Sequence, residues 1–170
     1  LVASGVYAMT RSMNEVMALA TKAARGAGAP PAQAALFGAV AVAHLANGKE
    51  LQDLHSALAA LPDGPIISLP LDITRVAETA RAGKATGRAA AGRTALLQSY
   101  ISTLPYQAEL SQGGGIHLDL TKPAARIAVR RIDLPADINA QWSALAARLL
   151  VPESEASRLS GAGAGLSDND

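Results

Sequence analysis

The C-terminal segment 157–170 combines residue types that could bind an ion or a small polar molecule. An arginine, alternating glycines and closing acids stand in this order: Arg158, Gly161, Gly163, Gly165, Asp168 and Asp170. Backbone amides of such glycines can form a nest for an anion, and the carboxylates can hold a cation or an amine. Glycine loses the most backbone freedom on ordering, so we expect packing, hydrogen bonds or a partner to hold this segment in the fold. The alternative is a tight passage of the chain past another element, with the acids facing water.

Acid–base chemistry is a second candidate, and His117 and Asp119 are the residues for it. Both alternate with apolar residues, so a strand here places them on one face, where they could exchange a proton or begin a metal site. A metal needs three or four converging ligands, and His44 and His55 are eleven residues apart, too far for a helical His-x-x-x-His pair. We therefore predict no metal, and the alternative for this pair is the solvent-facing side of a strand.

The segment 87–94 resembles the phosphate-binding loop of nucleotide-hydrolysing proteins, with Arg93 where that motif has lysine. Such a loop must follow a buried strand and open a helix, whereas the preceding residues are predicted to be helix and loop. Nearby, Arg81, Lys84 and Arg88 form a basic stripe that has no aromatic neighbour to stack a base. We therefore predict a solvated loop, no nucleic-acid partner and no cofactor.

Two other groups of polar residues have structural explanations. His44 lies on a helix that is apolar nearly all round, which indicates a hydrogen-bonded core histidine rather than a ligand. Ser154, Ser157 and Ser160 have no Gly-x-Ser-x-Gly elbow and no histidine neighbour, so we predict caps and turns rather than a nucleophile.

The composition narrows the class of protein. The chain has 170 residues, of which 49% are apolar and 17% charged, a net charge of +1 and no cysteine. This length suits one domain with a core of alanine and aliphatic residues. The small net charge gives no global field to attract nucleic acid or an anionic membrane. The longest apolar run, 34–43, is about half of what a bilayer requires, and the lack of cysteine fits a reducing compartment. We predict a soluble, cytoplasmic protein with no membrane partner.

Apolar periodicity and helix-capping residues predict the elements that position these candidates. A capping box formed by Ser12 and Glu15 starts the first helix, and Gly26 or Gly28 ends it. Further helices are predicted over Ala32–Asn47, Glu50–Ala60, from Asp72 as a cap to about Ala82, Leu104–Gln112 and Asp137–Leu150. Strands are predicted over Thr94–Ile101, Ile116–Leu120 and Arg126–Leu134, with a flexible loop over Gly83–Arg93. The predicted fold class is α+β, with a helical N-terminal half packed with a mixed α/β C-terminal half in one domain.

Motifs at the two ends of the chain resemble a family of uncharacterised bacterial proteins, a domain of unknown function. They are S-x-N-E followed by K-A-A-R-G-A-G within 12–28, and S-R-x-x-G-A-G-A-G-x-x-D-x-D over 157–170. The resemblance implies a bacterial origin and one soluble domain, supplies no activity, and points to Arg25, Arg158 and the tail as the site. The first two helices are also similar to the N-terminus of the malate and L-lactate dehydrogenase family, but the Ser-His-Gly segment of that family is missing.

These observations lead to three hypotheses about function. The first is a bacterial accessory or binding domain that recognises a small anionic metabolite or a protein partner through the tail and nearby arginines. The second is an enzyme acting on a small carboxylated or amino substrate, with Asp168, His117 or Asp119 as acid or base. The third is a structural domain that forms a homo-oligomer through its alanine-rich helices.

Overall fold

The protein is a bundle of helices joined to two small antiparallel sheets. A computed structural model describes residues 8–92, 94–125, 128 and 131–150. The described elements are β1 (Ala8–Ser12), α1 (Met13–Gly26), α2 (Pro31–Ala46), α3 (Leu51–Ala59), α4 (Pro65–Glu78), β2 (Lys84–Arg88), α5 (Ala95–Ser102), β3 (Tyr106–Leu110), β4 (Gly115–Pro123), β5 (Arg131–Pro135) and α6 (Ala136–Ala147). The α+β class and the helical N-terminal half are confirmed.

The first two helices follow the sequence pattern closely. The Ser12 hydroxyl accepts a hydrogen bond from the Glu15 amide, and the Glu15 carboxylate accepts one from the Ser12 amide, so the predicted capping box is present. After α1 the chain turns at Gly28, which has a φ of +106°. The second helix packs closely on the first because Gly38 has no side chain: a Cβ there would lie 2.8 Å from the Met17 carbonyl oxygen. As predicted, α2 is largely buried over 37–44, whereas Leu36 and the first two residues of the helix are exposed.

The fourth helix differs from the prediction. Pro65 occupies its first turn, where a missing amide costs nothing, and the helix continues through Pro70 because a stripe of buried apolar residues holds it to the core. Asp72 is therefore not an N-cap but an interior residue. Its carboxylate accepts hydrogen bonds from the Ala90 amide at 3.0 Å and from Arg75 at 3.1 Å, which fastens the turn after β2 to α4.

Three other predicted elements were wrong. The segment 83–93, predicted as a loop, contains the strand β2. The segment 94–101, predicted as a strand, is the helix α5, because Thr94 accepts a hydrogen bond from the Leu97 amide and acts as its N-cap. The segment 104–112, predicted as a helix, contains β3, whose side chains alternate between half-buried and exposed. In all three, tertiary packing outweighs local propensity.

The strands form two antiparallel sheets. One has the order β2-β4-β3, and its register pairs Thr86 and Glu109 with His117 on either side. The other joins β1 to β5, which places the start of α1 beside the strand that leads into α6. The core runs from the helices to the inner face of the larger sheet, where Ile116 and Leu118 are buried.

The last described helix packs across α1, and its Trp142 is fully buried. Close approach is possible at Gly26, where a Cβ would lie 2.6 Å from the Leu145 carbonyl carbon. The predicted helix 137–150 is thus present and shorter at its C-terminal end, and Leu149 beyond it is exposed.

Candidate functional site

The structure places the two predicted acid–base residues on the outer face of the larger sheet. His117 is exposed, and its Nδ1 atom lies 3.4 Å from the Thr86 hydroxyl. The Asp119 carboxylate accepts a hydrogen bond of 2.6 Å from Thr121 and lies 3.4 Å from Lys122. The hydrogen bond from Thr121 lowers the pKa of Asp119, so this carboxylate stays ionised at neutral pH. The described residues contain no group of three or more metal-ligating carboxylates and imidazoles.

Arg25 has a structural partner. Its side chain is half-buried, and its Nη1 atom donates a hydrogen bond of 2.9 Å to the Ala29 carbonyl just beyond the end of α1. Basic side chains suit a helix C-terminus, so this contact explains Arg25 without a ligand. The other residues of the predicted tail site, Arg158, Gly161, Gly163, Gly165, Asp168 and Asp170, lie outside the described residues.

Segment 87–94, which resembles a phosphate-binding loop, begins at the end of the strand β2 and is followed by the helix α5. The prediction that helix and loop precede it was therefore wrong. The strand β2, however, lies at the edge of an antiparallel sheet. Gly87 makes room for α4, since a Cβ there would lie 2.5 Å from a methyl group of Val76. The Ala90 amide is already bonded to the carboxylate of Asp72. The Asp72 carboxylate thus accepts the hydrogen bond of a loop amide that a phosphate would need.

A hydrogen-bonded network buried between α2, α3 and α5 is the most ordered polar feature of the core. His44 is fully buried, with Nδ1 2.9 Å from the Ser99 hydroxyl and Nε2 2.8 Å from the Glu50 carbonyl. The Asp53 carboxylate lies 3.5 Å from Nε2. Lys49 donates to Ser99 at 3.2 Å, and to the Ala95 carbonyl and the Gln98 side chain. The prediction of a hydrogen-bonded core histidine is confirmed.

The bonds of His44 define its protonation state. Because a carbonyl can only accept, Nε2 carries a proton, and Nδ1 of the neutral ring accepts from the hydroxyl of Ser99. Burial lowers the pKa of His44, partly opposed by the Glu50 carbonyl and the Asp53 carboxylate, so the neutral ring is favoured. Serine, histidine and aspartate are the residue types of a hydrolytic triad, but Ser99 has no exposed surface from which to reach a substrate. This network holds three helices together.

A cavity of about 450 Å³ lies between α3, α6 and the end of α1. Two helical stripes line it, because residues spaced by three or four positions share one face of a helix. One stripe is on α3 and consists of His55, Leu58 and Ala59. The other consists of Gln141, Ala144 and Leu145 on α6 and of Arg148 directly after its end. Ala27, Leu61 and Trp142 complete the wall. We call this the Trp142 cavity.

Polar groups without partners distinguish this cavity from the buried network. Gln141 and Arg148 are exposed and His55 is half-buried, and within the described part of the chain their side chains make no hydrogen bond or ion pair. The indole nitrogen of Trp142 is buried and has no acceptor among the described residues. A buried donor left unsatisfied costs about 1–3 kcal/mol. The cavity therefore combines an aliphatic wall with three polar side chains, those of His55, Gln141 and Arg148, that are not engaged elsewhere in the described chain.

The charge of the lining favours an anion. Among the described lining residues, Arg148 carries a full positive charge and there is no carboxylate. The dipole of α6 places about half a negative charge at its C-terminal end, which disfavours an anion there. The full positive charge of the Arg148 guanidinium is larger. Pockets with an apolar wall and a few convergent polar groups are typical of small-molecule sites. This arrangement can hold the acidic group of a ligand while its carbon chain contacts leucine and alanine.

Other cavities lie elsewhere and have less to offer a ligand. One, of about 740 Å³, is bordered by Lys49 and Arg131, whose side chains already donate to protein groups. Two more, of about 390 and 560 Å³, share the segment 124–125 after β4. Sequence reasoning missed the Trp142 cavity. The 3–4 spacing of Gln141, Leu145 and Arg148 marks one helical stripe, but no sequence signal joins that stripe to α3.

Comparisons were made with protein-family models, with curated proteins and with solved structures, and none of the three found a match. No helix among the described residues is both long enough and apolar enough to cross a membrane.

Proposed function

We propose that this protein is a binding domain for a small organic anion with an aliphatic body, and that the Trp142 cavity is its site. The observation that carries the proposal is the convergence of three unpartnered polar side chains, His55, Gln141 and Arg148, on one apolar-walled cavity. This keeps the class of ligand predicted from the sequence, a small anionic metabolite, and assigns it to a different part of the chain.

The physical case rests on the difference between engaged and free polar groups. A guanidinium that already bonds to the protein must give up that bond to hold a ligand, whereas Arg148 has no such bond among the described residues. Its hydrogen bonds to an anion would be charge-assisted and hence stronger than neutral ones. Burial of an aliphatic chain against Leu58 and Leu145 would add about 25 cal/mol for each Å² of apolar surface removed from water.

Two finer features belong to the same proposal. We place the protein in a bacterial cytoplasm, on the end motifs and on the absence of cysteine. The tail residues from Arg158 to Asp170 stay a proposed second binding element, for a metabolite or for a protein partner.

Intrinsic fluorescence tests the proposal directly because the chain contains one tryptophan, and this tryptophan lines the cavity. We would titrate octane-1-sulfonate and, as probes of matched chain length, neutral octan-1-ol and cationic octyltrimethylammonium. We expect the Trp142 emission to change saturably with the sulfonate. The alcohol should bind more weakly, and the cation should bind most weakly. Equal binding of all three, or no binding of the sulfonate, would overturn the proposal.

Matched variants assign the charge selectivity to one residue. Arg148→Gln should weaken sulfonate binding about fivefold, the size of a partly exposed ion pair, and leave octan-1-ol binding unchanged. Arg88→Gln removes an exposed arginine on β2 and should change neither. If both variants weaken the sulfonate equally, the effect comes from the net charge of the protein and not from the cavity.

A further inference from the structure

His55 is the imidazole in the described wall of the cavity, and its side chain has no partner among the described residues. It lies on α3, is half-buried, and makes no hydrogen bond within the described part of the chain. The two other histidines of the chain are placed differently. His44 is fully buried in the polar network, and His117 is exposed on the sheet. The three imidazoles thus occupy three distinct environments.

The groups around His55 set the electrostatic effect of its protonation. From α6 the charged lining residue is Arg148, and Gln141 is neutral. The end of α1 and the α3–α4 connection contribute Ala27 and Leu61, which do not ionise. On α3 itself, Asp53 lies two positions away and its carboxylate is 3.5 Å from His44. An imidazolium at His55 therefore shares the described wall of the cavity with the guanidinium of Arg148 and with no carboxylate, and a bound anion would supply the opposite charge.

We propose that the ligand enters the Trp142 cavity together with a proton, which binds to the free ring nitrogen of His55. This inference rests on the proposed function, because it needs an anion in the cavity. Imidazole changes its charge between about pH 5 and pH 8. A bound anion favours the charged ring, and by thermodynamic reciprocity the charged ring favours the anion. Affinity for an anion should therefore rise as the pH falls.

The experiment follows the affinity for octane-1-sulfonate by Trp142 fluorescence at constant ionic strength between pH 5.5 and pH 8. A sulfonate keeps its charge over this range, so any pH dependence belongs to the protein. We expect binding about fivefold tighter at pH 5.5 than at pH 8, the size of one partly exposed ion pair. Octan-1-ol should bind equally at all of these pH values. Circular dichroism at each pH checks that the protein stays folded.

Two histidine variants separate the proposal from its alternatives. His55→Gln should lose the pH dependence of sulfonate binding, while His117→Gln should keep it. A pH dependence that persists in His55→Gln would overturn the inference, as would pH-independent binding by the wild type. The second result leaves the proposed function intact, whereas no sulfonate binding at any pH contradicts the proposed function itself.

Discussion

Replacement of Gly26 by alanine tests how closely α1 and α6 are packed beneath the cavity. A Cβ at Gly26 would overlap the carbonyl oxygen of Leu145 and lie 2.6 Å from its carbonyl carbon. These are backbone atoms, so they cannot rotate away as the end of a flexible side chain would. The two helices must separate, and this moves the stripe of α6 that carries Gln141 and Arg148.

The expected cost of Gly26→Ala follows from two opposing terms. Overpacking of a well-filled interface costs about 1–3 kcal/mol, and the rigid backbone contact here argues for the upper end. Replacement of a helical glycine by alanine stabilises the helix by about 1 kcal/mol. The net loss is therefore about 2 kcal/mol, which in a chain of this size lowers Tm by about 4–8 °C. Calorimetry and urea denaturation would measure both quantities.

Gly113→Ala is the matched control for this prediction. A Cβ at Gly113 would meet nothing nearer than a guanidinium nitrogen of Arg88 at 3.8 Å, and its φ is not in the left-handed region. We expect its stability to stay within about 0.5 kcal/mol of the wild type. If Gly26→Ala is as stable as the wild type or more stable, the close approach of the two helices is wrong.

Two further predictions concern the hydrogen bonds of the N-terminal half. Burial lowers the pKa of His44, so below about pH 6.5 the unfolded chain binds a proton that the folded protein does not. Urea denaturation between pH 8 and pH 5.5 should therefore show that the free energy of unfolding decreases as the pH falls, by up to about 1.4 kcal/mol per pH unit. His44→Gln should lose this pH dependence. A slope unchanged in that variant would contradict the assignment. Ser12→Ala removes the capping box and should cost about 1 kcal/mol in urea denaturation, whereas Ser143→Ala, on the exposed face of α6, should cost nothing; equal losses would refute the role of the cap.

The parts of the fold that could be predicted are those whose signal is local. The capping box at Ser12 and the alternation over Ile116–Leu120 depend on residues a few positions apart, and both elements are present. The strand β2 has no such signal, because its glycine and its alanine suit a loop equally well. It forms because Gly87 lets α4 pack against it and because β4 pairs with it. Thr94 illustrates the opposite error, since a β-branched residue before an apolar run fits a strand, yet its hydroxyl caps a helix.

The candidate site could be predicted only in part, for a related reason. The sequence indicated that His44 is a hydrogen-bonded core residue, because a helix that is apolar all round must be buried. It did not indicate His55, which lies on α3, 93 positions before Arg148 at the end of α6. No pattern within α3 or α6 shows that their stripes face one cavity. That information exists only in the packing of both helices with α1.

The contrast between the two histidines also decides which polar cluster is the better binding site. Around His44 the imidazole nitrogens, the Ser99 hydroxyl and the Lys49 ammonium all have protein partners, so a ligand could bind there only by breaking existing bonds. Such a satisfied network stabilises one arrangement of helices. Around His55 the corresponding groups have no partner within the described chain, and the wall beside them is aliphatic. A ligand there replaces hydrogen bonds to water and breaks none within the described protein, and for that reason we assign binding to the cavity and architecture to the buried network.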